Sequence, residues 1–221
     1  MKRGFTLAEV LITLGIIGVV AAITIPNLMT HFQQEQTVTK LKKAYSVINQ
    51  AYKSSFDEVG EPENAFTIGS DEYFKTYWAP YIKVLSYCKT PEGCGYKSNG
   101  PFKFVNGKKD GTALIMPNAR TTFYTMDGTM YIIATGGNNA GTMVPVHWIV
   151  VDINGGKGPN RWGRDVFWLK RVPDGGGVQF ECYNDSNINV ENECLKNQQA
   201  RCCAEKIRRA GWKIEKNYPW K

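Results

Sequence analysis

Glu9 is the residue whose chemistry most needs an explanation, because it is a carboxylate at the start of a long apolar run. No other Asp, Glu, Lys or Arg follows it before Glu35. An unpaired charge near the centre of a bilayer costs roughly 2.5–3.5 kcal/mol, so such a residue usually has a partner. A chain cut between Gly4 and Phe5 would supply one, since its new α-amino group would be a cation at the depth of Glu9 of an adjacent subunit. That pairing removes the cost only in an assembly.

The apolar run is long enough to cross a membrane. Residues 10–25 are apolar apart from threonines and glycines, and about 20 such residues span a bilayer at roughly 1.5 Å per residue. Lys2 and Arg3 precede the run and place the amino terminus on the cytoplasmic side, with the remainder exported. The run alone also fits a secretory signal peptide cleaved near Ala21-Ala22, or an uncleaved signal anchor.

The order of residues around Glu9 indicates a protein class more specifically than hydropathy does. A short basic leader precedes the sequence Gly4-Phe5-Thr6-Leu7-Ala8-Glu9-Val10-Leu11-Ile12, and Pro26 stands at the end of the apolar run. This arrangement resembles the class III prepilin signature of type IV pilins and of the pseudopilins of type II secretion. The resemblance is specific over residues 1–56 and is one of architecture beyond them.

The resemblance implies roles for the first residues. A membrane aspartate prepilin peptidase would cleave after Gly4, Phe5 would be N-methylated, and Glu9 would be the assembly residue. The partners would be copies of the chain, other pilins or pseudopilins, and an inner-membrane assembly platform. Before assembly the chain would cross the inner membrane once, with its exported domain in the periplasm or in a surface filament. Pro26 lacks an N–H and clashes with the preceding turn, so it should kink or locally melt the helix.

Six cysteines follow the apolar run: Cys88, Cys94, Cys182, Cys194, Cys202 and Cys203. An even count in an exported region favours disulfides over zinc, since the sequence has no Cys-x-x-Cys pair and its two histidines are isolated. Cys88 with Cys94 is the favoured local pair. Cys182 and Cys194 would then pair with Cys202 and Cys203, in either order, because a bond between adjacent cysteines is strained. A disulfide near the carboxyl terminus resembles the one that commonly closes this region in pilins; partly free thiols are the alternative.

A loop between two predicted strands offers oxygen ligands to a cation. Asp152 and Asn154 have the spacing of the first two side-chain ligands of a calcium loop, and Asp165 could close it. The pattern departs from such a loop, because Lys157 replaces the glycine and no Glu comes twelve residues in. Major pseudopilins also hold calcium in a loop, though by another motif. Asx turns that stabilise the loop are the favoured alternative, so no cofactor is predicted.

The excess charge lies in the carboxyl-terminal tail. The chain carries 27 Lys and Arg against 20 Asp and Glu, a formal net charge of +7. Residues 196–221 hold eight of the cations against Glu205 and Glu215, a net +6. The tail cations that could contact the phosphates of nucleic acid are Lys206, Arg208, Arg209, Lys213 and Lys216. Three aromatic residues are interleaved with them: Trp212, Tyr218 and Trp220.

The favoured interpretation of the tail is structural. Arg201–Glu205 and Glu205–Arg209 have the i,i+4 spacing of helix ion pairs, and the aromatic residues can pack beneath them. Nucleic acid is therefore not the favoured partner.

The remaining sequence predicts a long helix followed by a sheet. Apolar residues recur at spacings of three and four after Pro26, as in one stripe of an amphipathic helix that Gly60 and Pro62 end: Val38, Leu41, Tyr45, Ile48, Tyr52 and Phe56. Ser70 is the predicted N-cap of a second, shorter helix. Asp127-Gly128 predicts a hairpin with a type I′ turn. The predicted strands are Thr112–Met116, Thr121–Met126, Thr129–Ala134, Val146–Ile153, Val166–Leu169 and Val178–Cys182.

The predicted fold class is α+β, type IV pilin-like, with a long N-terminal helix packed on an antiparallel sheet and a disulfide-tied C-terminal region. Residues 1–4 would be the leader, residues 5–56 the helix with its transmembrane segment at about 5–25, and residues 57–221 the exported globular domain. With 221 residues, the chain can bury one sizeable core.

Three functions fit this organisation. The leading one is a structural subunit of a type IV pilus or type II secretion pseudopilus. The second is a minor or competence pilin whose exported domain binds DNA or a surface ligand. An anchored enzyme is disfavoured, because the sequence has no Gly-x-Ser-x-Gly, no His-Glu-x-x-His and no phosphate-binding glycine loop.

Overall fold

The computed structural model describes residues 6–61, 65–116, 119–139, 142–195 and 197–220; for residues 138, 139, 142 and 143 it describes the backbone alone. The chain divides between Gln36 and Thr37 into two compact units. Helix α1, Leu7–Val59, forms nearly all of the described part of the first unit and opens the second.

In the second unit, the predicted apolar stripe of α1 faces the core. Val38, Leu41, Ile48 and Tyr52 are buried, which confirms the helical spacing of three and four. The helix runs to Val59, a little past the predicted end at residue 56. Gly60 then adopts a φ of 75°, and its N–H donates to the carbonyl oxygen of Phe56 at 3.0 Å. Glycine is favoured at this position because it accepts a left-handed backbone without strain.

Two short helices follow α1: α2 (Ala65–Ile68) and α3 (Ser70–Tyr77). The prediction of Ser70 as an N-cap is wrong, because the helix begins at Ser70 and Gly69 occupies the cap position without a side-chain hydrogen bond. Ser70 is instead buried against Thr121, whose hydroxyl donates to the carbonyl oxygen of Ser70 at 3.1 Å. Ser70 therefore packs in the core and does not cap the helix.

Six antiparallel strands complete the core, in the order β1-β2-β3-β6-β7-β8. Their bounds are β1 (Val84–Tyr87), β2 (Arg120–Thr125), β3 (Met130–Ala134), β6 (Trp148–Asp152), β7 (Val166–Val172) and β8 (Gly177–Phe180). The intervening β4 (Gly136–Asn139) and β5 (Thr142–Pro145) form a separate two-stranded sheet. Two short helices lie near the carboxyl terminus, α4 (Val190–Leu195) and α5 (Cys203–Arg209). A long N-terminal helix on an antiparallel sheet is the predicted α+β, pilin-like fold.

The β2–β3 hairpin is confirmed, but its turn is not type I′. Thr125 and Thr129 close a three-residue loop, in which the N–H of Thr125 donates to the carbonyl oxygen of Thr129 at 2.9 Å. Gly128 has a positive φ and Asp127 does not, whereas type I′ requires both. The Asp127 carboxylate accepts from the Thr125 hydroxyl at 2.7 Å and from the Thr129 N–H at 3.3 Å. These side-chain bonds favour the longer loop.

The predicted strand Thr112–Met116 is wrong, because side chains take the hydrogen bonds that a neighbouring strand would need. The Asn99 amide accepts from the N–H of Ile115 at 2.7 Å and donates to its carbonyl oxygen at 3.0 Å. The Thr122 hydroxyl donates to the carbonyl oxygen of Leu114 at 2.7 Å. The segment is therefore irregular although it is rich in apolar residues.

Edge strand β8 is covered by a side chain of α1. The Asn49 amide donates to the carbonyl oxygen of Val178 at 2.8 Å and accepts from its N–H at 3.4 Å. This pair of bonds resembles that made by a neighbouring strand, so it protects part of the edge from pairing with another chain.

Candidate functional site

Glu9 and Thr6 cap the first turn of α1 reciprocally. Glu9 Oε2 accepts from the Thr6 N–H and from the Thr6 hydroxyl, each at 2.8 Å, and the Glu9 N–H donates to Thr6 Oγ1 at 3.3 Å. This is a capping box, which satisfies two amides that a helix start leaves without partners. We did not predict this box from the sequence, although a Thr followed three residues later by Glu is its usual signal. Glu9 therefore has a structural partner within its own chain.

Gly4 and Phe5 lie outside the described residues. Cleavage after Gly4 and methylation of Phe5 stay predictions.

The first unit exposes its apolar side chains. Leu7, Leu11 and Ile23 are 80%, 61% and 64% exposed. Polar groups within this stretch are satisfied locally, since the hydroxyls of Thr13 and Thr24 each donate to a carbonyl oxygen of the preceding turn at 2.9 Å. By length and composition α1 can cross a membrane. An apolar surface of this extent needs a bilayer or neighbouring helices to cover it.

Pro26 lies inside α1, and the backbone is helical on both sides of it. The Thr30 hydroxyl donates to the carbonyl oxygen of Pro26 at 2.9 Å, and the Asn27 amide donates to that of Ile23 at 3.3 Å. The local melting that Pro26 could cause is not seen, and the kink stays a prediction.

The structure folds the Asp152–Asp165 loop around buried carboxylates. Asp152 accepts from the Tyr96 hydroxyl at 2.8 Å and from the Asn154 N–H at 3.2 Å. Asp165 accepts from the N–H groups of Asn160 and Arg161 at 2.8 and 2.7 Å. Burial raises the pKa of both carboxyls, and the nearby Asp165 charge raises that of Asp152 further.

These contacts match the Asx-turn alternative for the loop. Asn154 uses its amide N–H to bind the carbonyl oxygen of Gly158 at 3.0 Å, while its buried Oδ1 has no partner. No group of three or more His, Cys, Asp or Glu side chains that could hold a metal occurs in the part of the chain that the structure describes. Calcium binding by Asp152, Asn154 and Asp165 stays the untested alternative.

Three disulfides connect the six cysteines. Cys88–Cys94 closes a loop after β1, with a Cα–Cα distance of 5.4 Å. The other two are Cys182–Cys202 and Cys194–Cys203, with Cα–Cα distances of 5.5 and 4.5 Å. They connect the chain after β8 and helix α4 to the beginning of α5. The structure thus selects one of the two orders that the sequence left open.

Three cations of the tail form ion pairs with glutamates. The buried Glu205 carboxylate accepts from Arg208 at 2.7 Å and from Arg209 at 2.8 Å. Lys206 is buried as well, and its ammonium pairs with Glu191 and lies 3.9 Å from Glu215.

Two further features make the tail part of the fold. Arg201, which was predicted to pair with Glu205, stacks over Trp168 with 5.3 Å between its guanidinium carbon and the ring centre. Tyr218 and Trp220 are buried in the core, and Trp212 packs against it. Lys213 and Lys216 remain exposed. These contacts agree with the structural interpretation of the tail, in which its charged and aromatic residues belong to the fold.

Two family models match the chain. One, described as "Prokaryotic N-terminal methylation motif", matches residues 1–25, and the other, described as "Family of unknown function (DUF6613)", matches residues 27–221. No curated protein and no solved structure matches the chain. The first model is the class III prepilin signature of type IV pilins and pseudopilins, which confirms the resemblance. Proteins of that class are structural rather than catalytic.

Proposed function

This chain belongs to the family of unknown function DUF6613, and we propose that it is a structural subunit of a type IV pilus or a type II secretion pseudopilus. It would be processed after Gly4 and would polymerise through α1. One observation carries the proposal: the N-terminal methylation motif leads directly into an exposed apolar helix whose first turn contains Glu9.

The geometry of Glu9 supports an assembly role. Its two bonds from Thr6 both end on Oε2, which leaves Oε1 able to accept a further hydrogen bond. The α-amino group of Phe5 of a neighbouring subunit is a donor of suitable charge. Such a pair would form in the apolar interior of a filament or membrane, where an unpaired carboxylate is costly.

The proposed topology follows from the same segment. Residues 1–4 form the leader on the cytoplasmic side, α1 crosses the inner membrane once, and residues 57–221 are exported. The three disulfides suit an oxidising compartment. Prepilin peptidase, other pilins and an assembly platform are the proposed partners.

Substitutions at Thr6 and Glu9 test the assembly role. Glu9→Gln preserves the capping geometry, because glutamine also serves in a capping box, but it removes the charge. Thr6→Ala removes the hydroxyl contacts of the cap, keeps the bond from the residue 6 N–H to Glu9, and preserves the charge. We expect Glu9→Ala and Glu9→Gln to abolish or sharply reduce incorporation into filaments in the native host, and Thr6→Ala to preserve most of it.

The readouts are the filament yield and the amount of membrane-bound subunit in which the disulfides have formed. All three variants should accumulate normally in the membrane, because Glu9 lies outside the folded second unit. Normal filament yield from Glu9→Gln would contradict the charge pairing. Loss of filaments from Thr6→Ala alone would show that helix capping, and not charge, is the requirement.

A further inference from the structure

Two exposed lysines and one partly buried arginine are paired through their backbones at a place far from the tail in sequence. Lys103 pairs through antiparallel backbone contacts with Lys109 and through parallel contacts with Arg161. The N–H of Lys103 donates to the carbonyl oxygen of Asn160 at 2.7 Å, and the Trp162 N–H donates to that of Lys103 at 3.0 Å. We call Lys103, Lys109 and Arg161 the cationic face.

Side chains along these paired segments alternate between buried and exposed, which separates the cations from their acidic neighbours. Phe102, Asp110 and Trp162 are buried, while Lys103 and Lys109 are exposed. Asp110 is adjacent to Lys109 in sequence, yet its carboxylate points inward and accepts from the Trp162 indole N–H at 2.5 Å.

Asp165, a second nearby acid, is turned inward too. The Asp165 carboxylate is buried and bonds to backbone N–H groups of Asn160 and Arg161. Over the described ranges, no carboxylate lies within 4.0 Å of the side-chain nitrogens of Lys103, Lys109 or Arg161. The buried Arg161 Nε also has no hydrogen-bond partner.

This arrangement is unfavourable in the isolated chain. Like charges on directly paired residues repel, because the Cβ atoms of such residues are only about 5 Å apart. Lys103 faces a like charge on both sides. A polyanion that contacts all three cations would make their electrostatic free energy favourable.

We propose that the cationic face binds double-stranded DNA through its phosphates. Phosphates are contacted mainly by Lys and Arg and are densely spaced along a duplex. Protein interfaces have an apolar centre in which Lys is depleted, whereas the aromatic residues here, Phe102 and Trp162, are fully buried. With those rings buried, the face offers no stacking platform for single-stranded bases. Because phosphate contacts carry no sequence information, binding is expected to be independent of the DNA sequence.

Anisotropy titrations of the full-length protein in a nonionic detergent test this proposal, with a labelled DNA duplex as the probe. Lys103→Gln/Lys109→Gln removes two cations of the face. The matched control, Lys213→Gln/Lys216→Gln, removes two exposed cations of the tail and gives the same net charge.

We expect the wild type to bind with an affinity that falls steeply with salt. The Lys103/Lys109 variant should weaken binding and lower the slope of log affinity against log salt by about 2, since each lost phosphate contact lowers it by about 0.9. The tail variant should preserve the slope. Both variants should keep the wild-type unfolding temperature within a few degrees, because none of the four lysines has an ion pair in the described ranges.

Other results would overturn the proposal. These are an absence of duplex binding by the wild type at low salt, an equal effect of the two variants, or displacement of the duplex by polyglutamate as readily as by unlabelled duplex. Tighter binding of the single strand would overturn the assignment to duplex. The filament proposal does not depend on these results, because Glu9 and the cationic face lie in different units of the chain.

Discussion

Arg171 uses four of its five guanidinium N–H groups to hold separate segments of the second unit together. Its Nη1 donates to Glu61 and to the Tyr73 hydroxyl, each at 2.7 Å. Its Nη2 donates to the carbonyl oxygens of Ala134 and Val146 at 2.8 and 3.0 Å. The side chain is 2% exposed, so these bonds form away from water. One cation thus joins the chain after α1 to α3, β3 and β7.

Arg171→Met should lower the free energy of unfolding by about 3 kcal/mol or more, because loss of one partner of a buried ion pair leaves the other uncompensated. Chemical unfolding followed by tryptophan fluorescence reports this directly, since all six tryptophans lie in the second unit. Lys170→Met is the matched control on the neighbouring residue and should change the free energy by less than about 0.5 kcal/mol. A loss below about 1 kcal/mol for Arg171→Met would contradict this role.

Asp127 links the β2–β3 loop to α1. Its carboxylate lies 2.9 Å from the Lys43 ammonium. Burial raises the pKa of Asp127, but the Thr125 hydroxyl, Lys43 and the Thr129 N–H lower it by more, so that its net shift is downward. A carboxyl with a lowered folded-state pKa stabilises the fold above its unfolded pKa, and this stabilisation is lost as pH falls through the folded pKa.

Asp127→Asn should therefore lower the free energy of unfolding by about 0.5 kcal/mol at neutral pH, since Asp127 is partly exposed and asparagine retains the acceptor. The difference from the wild type should vanish in acid, below the folded pKa of the carboxyl. Lys43→Gln should cost less in the Asp127→Asn background than in the wild type. An Asp127→Asn effect of equal size at neutral and acid pH would exclude a contribution from the charge.

At the scale of elements, local signals predicted those parts of the fold that local contacts decide. The stripe of α1 and the β2–β3 hairpin were predictable because spacing and a Gly turn specify them. The 112–116 segment was not, since the Asn99 side chain satisfies the backbone of Ile115 from sixteen residues away. The Thr6–Glu9 capping box was readable from sequence and was missed.

The disulfide order could not be predicted from sequence, because it depends on how α4 and α5 pack. Peptide mapping without reduction should recover Cys88–Cys94, Cys182–Cys202 and Cys194–Cys203. Cleavage between Cys202 and Cys203 is needed to separate the last two links, and partial acid hydrolysis or tandem mass spectrometry provides it. Recovery of Cys182–Cys203, or of alkylatable thiols in the native protein, would contradict the structure.

For the whole molecule, the distribution of charge differs from what the sequence suggested. The tail holds the excess cations, but Lys206 pairs with Glu191, and Arg208 and Arg209 both pair with the buried Glu205. In the described ranges, a further cluster of cations without ion pairs forms where residues 103, 109 and 161 meet. Residue 161 is more than fifty positions from the other two, so no local signal in the sequence predicts the cluster. The N-terminal signature, in contrast, is contiguous and was fully readable.

The central claim is that the chain is a processed subunit that assembles through its N-terminal helix. Mass spectrometry of the protein purified from the native host's membranes or filaments tests it most directly, because the first residue distinguishes prepilin processing from export by an ordinary signal peptide. We expect a mature chain that begins with N-methylated Phe5 and retains Glu9. A mature chain that begins near Ile23, as after cleavage of a secretory signal peptide, would contradict it.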